Sequence, residues 1–174
     1  DYRSSRGLGD VYKRQMPFYG APQSIGSHQF IDRGADKMGF FMESAPLHPG
    51  LAATAQPAFG GDAREYMAQL SHIGILLALH VDGLLPGDDG GTVRLKSDGR
   101  IAVDYPITAP LIEGFRASHE ALCRISFAAG AGEVGTLHNT PLKLRSEADL
   151  PLLDTVPYGA CLLYTSDAAD EHSC

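Results

Sequence analysis

Thr92-Val93-Arg94-Leu95-Lys96-Ser97-Asp98-Gly99-Arg100-Ile101-Ala102-Val103-Asp104-Tyr105 carries the clearest alternation in the chain. Val93 and Leu95 alternate with Arg94 and Lys96, and Ile101 and Val103 alternate with Ala102 and Asp104, the two-residue period of a strand with one apolar face. Between them Asp98-Gly99 carries the signal of a tight reversal, because glycine supplies a positive φ without steric cost. The stretch predicts an antiparallel hairpin.

Working outward toward the N-terminus, Ile75 to Val81 is a continuous apolar run of a length suited to a buried strand, and Gly39-Phe40-Phe41-Met42-Glu43, closed by Ala45-Pro46, reads as another. Between these two runs Tyr66, Met67, Leu70 and Ile73 recur at three and four residues, which predicts a helix over 63–73 with Asp62 as a candidate cap. Toward the C-terminus, Thr108 offers an N-cap and Pro110 fits the first turn. Leu111, Phe115, Leu122 and Ile125 then form a helical stripe as far as Ala129, and Gly130 to Gly132 stop it. At least four strands, with helices between and after them rather than in strict βαβ alternation, predict an α+β fold: an antiparallel sheet of at least four strands with helices covering one face.

The two ends of the chain read differently. Asp10-Val11-Tyr12-Lys13-Arg14-Gln15 can be encoded as GAT GTG TAT AAG AGA CAG. The reverse complement of that string, shifted by one base and completed by one T, encodes Cys-Leu-Leu-Tyr-Thr-Ser, which is residues 161–166. One DNA element read on opposite strands thus explains two dissimilar peptides. Residues 1–15 and 161–174 are therefore expected to be translated sequencing adapter or unexplained tail, and 16–160 the part to read for function, a gene piece cut at both ends.

Within 16–160, ten basic residues stand against sixteen acidic ones. The basic residues are scattered, whereas phosphate backbones are bound by clustered Lys and Arg, so nucleic acid is not an expected partner. The longest apolar run, Ile73 to Leu79, is far short of the roughly 20 residues needed to cross a bilayer. The expectation is a soluble protein of the bacterial cytoplasm. Cys161 and Cys174 lie in the C-terminal tail, so Cys123 stands alone and neither a disulfide framework nor a cysteine zinc site is expected.

Gly130-Ala131-Gly132-Glu133-Val134-Gly135 matches the dinucleotide-binding fingerprint letter for letter, but that motif needs a strand before it and a helix after it, and here it follows a helix. A glycine helix stop is the expected reading. Within 16–160 the histidines His28, His48, His72, His80, His119 and His138 show no zinc-ligand helix spacing. His80, in the apolar strand two residues before Asp82, either faces a substrate or bonds backbone at the strand end. Glu43 is either a pocket carboxylate or a satisfied surface group. Ser118, His119 and Glu120 are adjacent on one helix, point in different directions and are expected to be solvated rather than to form a relay.

The order of the motifs carries a further reading. Pro17-Phe18-Tyr19-Gly20-Ala21-Pro22-Gln23-Ser24, Gly39-Phe40-Phe41-Met42-Glu43, Gly91-Thr92-Val93-Arg94-Leu95 with Asp98-Gly99, and Val103-Asp104-Tyr105-Pro106 follow one another as in the glucose-methanol-choline (GMC) oxidoreductases. Phe127-Ala128-Ala129-Gly130-Ala131-Gly132-Glu133-Val134 resembles the family's AAGA-x-x-V segment, and Pro157-Tyr158-Gly159 resembles the lead-in to its catalytic stretch. The resemblance covers nearly all of 16–160. It implies the substrate-domain part of an FAD-dependent enzyme that oxidises the CH-OH group of alcohol donors, a histidine taking the hydroxyl proton while hydride passes to the flavin.

The catalytic His-Gln-Met-Gly-like motif would follow Gly159 and the FAD glycine loop would precede Met16. No catalytic or cofactor-binding residue is therefore carried onto this chain, and the piece alone is expected to be inactive. It would need an FAD-binding domain of the same chain as partner and an alcohol as substrate. His80, Glu43 and Met42 are the substrate-pocket candidates. The competing expectation is a stand-alone, non-catalytic α+β module that binds a small ligand.

Overall fold

A computed structural model describes residues 25–55, 59–83, 85–87, 90–138 and 140–158. Residues 1–24 and 159–174, with them the adapter-like ends and the Pro17–Ser24 motif, lie outside the described residues. In chain order the described elements are β1 (Ile25–Ser27), β2 (Phe40–Ser44), α1 (Pro49–Ala55), α2 (Gly60–Ala68), a 3-10 turn (Leu70–His72), β3 (Leu76–His80), β4 (Thr92–Leu95) and β5 (Ile101–Asp104). After these come α3 (Ala109–Ala128), β6 (Val134–Gly135), β7 (Lys143–Leu144) and a 3-10 segment (Glu147–Asp154).

The α and β mixture agrees with expectation, and every described strand pairing is antiparallel. The single sheet of at least four strands does not form. Instead there are three small sheets: β1-β2-β3, β4-β5 and β6-β7. Alternation within 92–105 dictates that β4 and β5 pair with each other, Val93 opposite Val103 and Leu95 opposite Ile101. It does not dictate a third neighbour, and the hairpin keeps its apolar face exposed instead of joining the edge of β3.

The hairpin turn itself is as read. Gly99 has φ +85°, and Asp98 Oδ1 accepts the Arg100 N–H at 3.0 Å across it. The helix over 63–73 is corrected to α2 ending at Ala68 followed by the separate 3-10 turn. Asp62 sits inside its first turn, and the N-cap residue Phe59 makes no side-chain cap bond. Neither β1 nor α1 is signalled in the sequence.

Helix α3 organises the C-terminal half of the described residues. Thr108 caps it, its hydroxyl oxygen accepting the Leu111 N–H at 3.4 Å, and Pro110 occupies the first turn, where its missing N–H costs nothing. At the other end Gly130 has φ +95°, its N–H donates to Phe127 O at 2.9 Å, and Ala131 N–H donates to Ser126 O at 3.0 Å. That pair of reversed bonds is a Schellman stop. The glycine-rich segment is thus a helix terminator leading into β6, not a strand-to-helix phosphate loop.

The buried face of α3 is rotated from the predicted stripe. Leu111, Gly114, Phe115, Ser118 and Cys123 are buried, while Leu122 and Ile125 are only half-buried. The N-terminal half packs Leu111 and Phe115 on Met38, and the C-terminal half packs Cys123 on Leu144, Leu150 and Leu153. A third cluster, Leu47, Ala52 and Leu70, joins α1 to the 3-10 turn that follows α2. Each fully buried Leu or Phe in these clusters is worth about 1.5–3 kcal/mol of transfer free energy.

Ion pairs tie α3 to its neighbours. Arg33 reaches Glu113 through two bonds of 3.0 and 2.6 Å and donates to Met38 O at 2.8 Å, which seats the 28–38 loop on the helix. Arg116 holds Asp154 through bonds of 2.7 and 3.0 Å and also pairs with Glu120. The Glu147–Asp154 segment starts with a capping box in which Ser146 and Asp149 satisfy each other's backbone N–H.

Candidate functional site

The strongest concentration of polar side chains in apolar surroundings lies along α3, where β3, the loop after β6 and the end of the described chain converge. The register places Phe40 opposite His80 and Met42 opposite Ala78, so Phe40, Met42 and His80 share the face of the sheet that α3 covers. His80 lies 5.7 Å from the Phe40 ring and edge-on to Phe115 at 4.7 Å. Of the predicted pocket residues, His80 and Met42 thus come to one face. Glu43 pairs with Leu77, and by strand alternation it projects from the opposite face. It is buried there rather than at the surface.

One helical turn beyond Phe115, His119 takes part in a triangle of rings. Its ring stands 4.9 Å from His138 and 5.5 Å from Tyr158, and His138 and Tyr158 are 4.8 Å apart. His119 Nδ1 lies 2.8 Å from Phe115 O. A carbonyl only accepts, so Nδ1 carries the proton and Nε2 presents its lone pair. His138 is brought in by the 136–142 loop: Thr136 N–H donates to Leu142 O at 3.0 Å, Leu142 N–H donates back to Thr136 Oγ1 at 3.0 Å, and His138 Nδ1 lies 2.8 Å from that same hydroxyl. Tyr158 arrives from the exit of the 3-10 segment and packs its ring on the Met38, Leu111 and Phe115 cluster.

Three buried polar atoms here, His80 Nε2, His138 Nε2 and Tyr158 Oη, have no hydrogen-bond partner among the described residues. Leaving such a group unsatisfied costs about 1–3 kcal/mol, and nearly all buried polar groups in native proteins are paired. His138 is the extreme case, with a side chain on a residue only 1 % exposed.

Electrostatics keep the group uncharged. Burial pulls His138 down to about 4, with the neighbouring His119 adding to the shift. Burial also lowers His119, against the opposing effect of its bond to Phe115 O. His80 is lowered chiefly by burial, then by His119 and Arg33, with a backbone contact to Gly114 pulling the other way. Burial pushes the Tyr158 phenol up to about 12. At neutral pH the cluster is three neutral imidazoles and a protonated phenol.

The expectation that Ser118, His119 and Glu120 are solvated is corrected. Ser118 is buried and donates to Phe115 O at 2.9 Å, His119 faces the cluster, and Glu120 pairs with Arg116 and Arg124. They still form no relay. Cys123 is buried, and its thiol is pushed up to about 11 by burial, so it holds no thiolate to act as a nucleophile. Among the described residues no group of three His, Cys, Asp or Glu side chains gathers closely enough to hold a metal ion. No helix among them is long and apolar enough to cross a membrane.

Nothing local in the sequence marks His138 or Tyr158 as site residues. A histidine in a loop and a tyrosine after a proline carry no local signal; the faint one available was that Tyr158 belongs to a segment resembling a catalytic lead-in. No protein family, curated protein or solved structure matches this chain.

Proposed function

We propose that the chain is the substrate-domain part of a GMC-type, FAD-dependent oxidoreductase acting on the CH-OH group of alcohol donors. One observation carries this reading: two sequence segments that resemble the family, Gly39–Glu43 and Pro157–Tyr158, meet around α3, whose C-terminal stop is a third. Phe40 of the first lies against His80, and Tyr158 of the second lies against His119 and His138. Spatial convergence of segments so distant in sequence is what a shared pocket requires.

The flavin finds no cradle among the described residues. Gly130 to Gly135 caps a helix and enters a strand, so it offers no helix N-terminus to a pyrophosphate. The FAD would be held by a domain of the same protein outside these residues, and no step of the chemistry is assigned to residues of this chain. What the described residues beside α3 would contribute is neutral, largely apolar surroundings with three buried polar atoms left without a hydrogen-bond partner.

Extending the gene from its source DNA tests the reading. The expected result is a glycine-rich FAD loop upstream and a His-Gln-Met-Gly-like segment shortly after Gly159. A reading frame lacking either one overturns the proposal. The purified chain alone is expected to retain no FAD and to oxidise no alcohol, so stoichiometric flavin in the purified protein counts against it.

A further inference from the structure

The 136–142 loop and the stretch that follows it are held to α3 in different ways. The loop touches the helix through a polar ring: His138 stands 4.9 Å from His119 and 4.8 Å from Tyr158. The 143–154 stretch is held by Leu144, Leu150 and Leu153, buried with Cys123, and by Asp154 and Glu147, which pair with Arg116 and Arg124 of α3. Within the loop Leu137 is 48 % exposed and Leu142 only half-buried, so little apolar surface keeps it down.

His138 is buried, and its Nε2 has no hydrogen-bond partner among the described residues. A proton taken up there leaves a buried imidazolium that needs an anion beside it or exposure to solvent. The carboxylates around it are already committed. Glu120 on α3 pairs with Arg116 and Arg124, Asp154 on the 3-10 segment pairs with Arg116, and Glu133 before β6 pairs with Lys143 and Arg145. The other titratable neighbours are neutral or cationic: His119 and the Cys123 thiol on α3, Tyr158 at the chain exit, and His80 on β3 with Arg33, itself paired with Glu113, acting on it. A second proton on His119 would set two cations on rings 4.9 Å apart.

We propose that His119 and His138 form a pH-sensitive latch, which on taking up protons releases the 136–142 loop from α3 and Tyr158 while the 143–154 stretch and the β1-β2-β3 sheet stay in place. Release into water relieves the conflict. Burial, and then His119, draw His138 from the usual 6.5 down to about 4, and burial lowers His119 in the same direction. The docked loop thus binds fewer protons than the released one, so docking is full above about pH 6.5 and weakens as pH falls toward about 4. For His138 alone these values lower the docked-to-released ratio about 30-fold between pH 7.5 and 5. The ion pairs that hold 143–154 outlast the latch, because Arg116 holds Asp154, and Arg124 and Arg116 hold Glu120, below the usual carboxylate range.

Amide hydrogen exchange of the full chain at pH 7.5, 6 and 5 tests this, read as protection factors so that the intrinsic pH dependence of exchange drops out. The reporters are the Thr136 and Leu142 N–H groups, bonded across the loop, with Thr136 Oγ1 linking them to the His138 ring. Their protection is expected to fall about 30-fold from pH 7.5 to 5, while the amides paired between β2 and β3 keep theirs. His138→Gln, which keeps a polar side chain but no titrating ring, should reduce the fall to the few-fold left to His119. Histidine ring NMR on the unaltered chain reads the same event independently, the His138 nitrogens passing from neutral to imidazolium over the span in which the loop loses protection. Loop and sheet losing protection together would mean that acid unfolds the whole chain, and overturns the latch. So does loop protection that is unchanged at pH 5, an imidazolium formed with the loop still protected, or the full fall persisting in His138→Gln. The latch stands apart from the oxidoreductase reading, and neither result decides the other.

Discussion

The β4-β5 hairpin and the joint between α3 and the 147–154 segment are built on opposite principles. In the hairpin every backbone partner lies within fourteen residues, and the turn chemistry states the register outright. Yet Val93 is 71 % and Leu95 76 % exposed, so almost no apolar burial supports it. In the joint, Leu144 and Leu153 are each 0 % exposed and pack with Cys123 from a helix well upstream. The contrast teaches that local legibility and energetic weight are separate. An isolated two-stranded hairpin is marginal in water, whereas buried leucines hold whole elements together.

Truncating the joint should produce the largest effect. Leu153→Ala is expected to cost about 2–5 kcal/mol, read as the shift in urea midpoint, because it removes a fully buried side chain and leaves a cavity. A cost below about 1 kcal/mol would erase the contrast with the hairpin.

Acid should sharpen it next. His138 is neutral in the folded chain, with its value drawn down to about 4, while in the unfolded chain it takes a proton near 6.5. Between those values the unfolded state binds more protons, so stability is full above about pH 6.5 and falls as pH drops toward about 4. The slope is up to about 1.4 kcal/mol per pH unit for this group. His119, lowered in the same direction, adds to it; Tyr158, raised, stays protonated throughout the window, and Thr136 does not titrate. Urea midpoints at pH 7.5, 6 and 5 measure this, and His138→Gln should flatten the dependence. A midpoint that rises on acidification contradicts a buried neutral histidine.

Ser146→Ala removes one half of the capping box and should cost about 1 kcal/mol. The smallest effect belongs to the hairpin: Val93→Thr and Leu95→Thr replace exposed apolar side chains with good strand formers and should change stability by less than about 0.5 kcal/mol. A loss of about 2 kcal/mol there would mean that the hairpin face is covered in solution.

Much of the secondary structure was legible because its signals are local. Thr108, Pro110 and Gly130 mark both ends of α3, since capping bonds span only a few residues. Asp98-Gly99 marks the β4-β5 turn for the same reason. The length of β3 was readable from its apolar run. The short elements β1, α1, β6, β7 and the 147–154 segment were not, because two to eight residues carry too few periods to stand out.

Dihedral preference, alternation and capping were enough to set the α and β mixture, the antiparallel hairpin, the extent of α3 and the helix stop at Gly130–Gly135. Long-range packing sets the division of the strands into three sheets, the inclusion of Gly114, Ser118 and Cys123 in the buried face of α3, and the meeting of His119, His138 and Tyr158. Strand-edge choice and helix rotation depend on how distant surfaces fit, and a polar cluster assembled from a helix, a loop and a chain exit has no period to read. The three rings come together because Cys123, Leu144 and Leu153 bury one another, which fixes where the loop and the exit of the 3-10 segment must pass along α3.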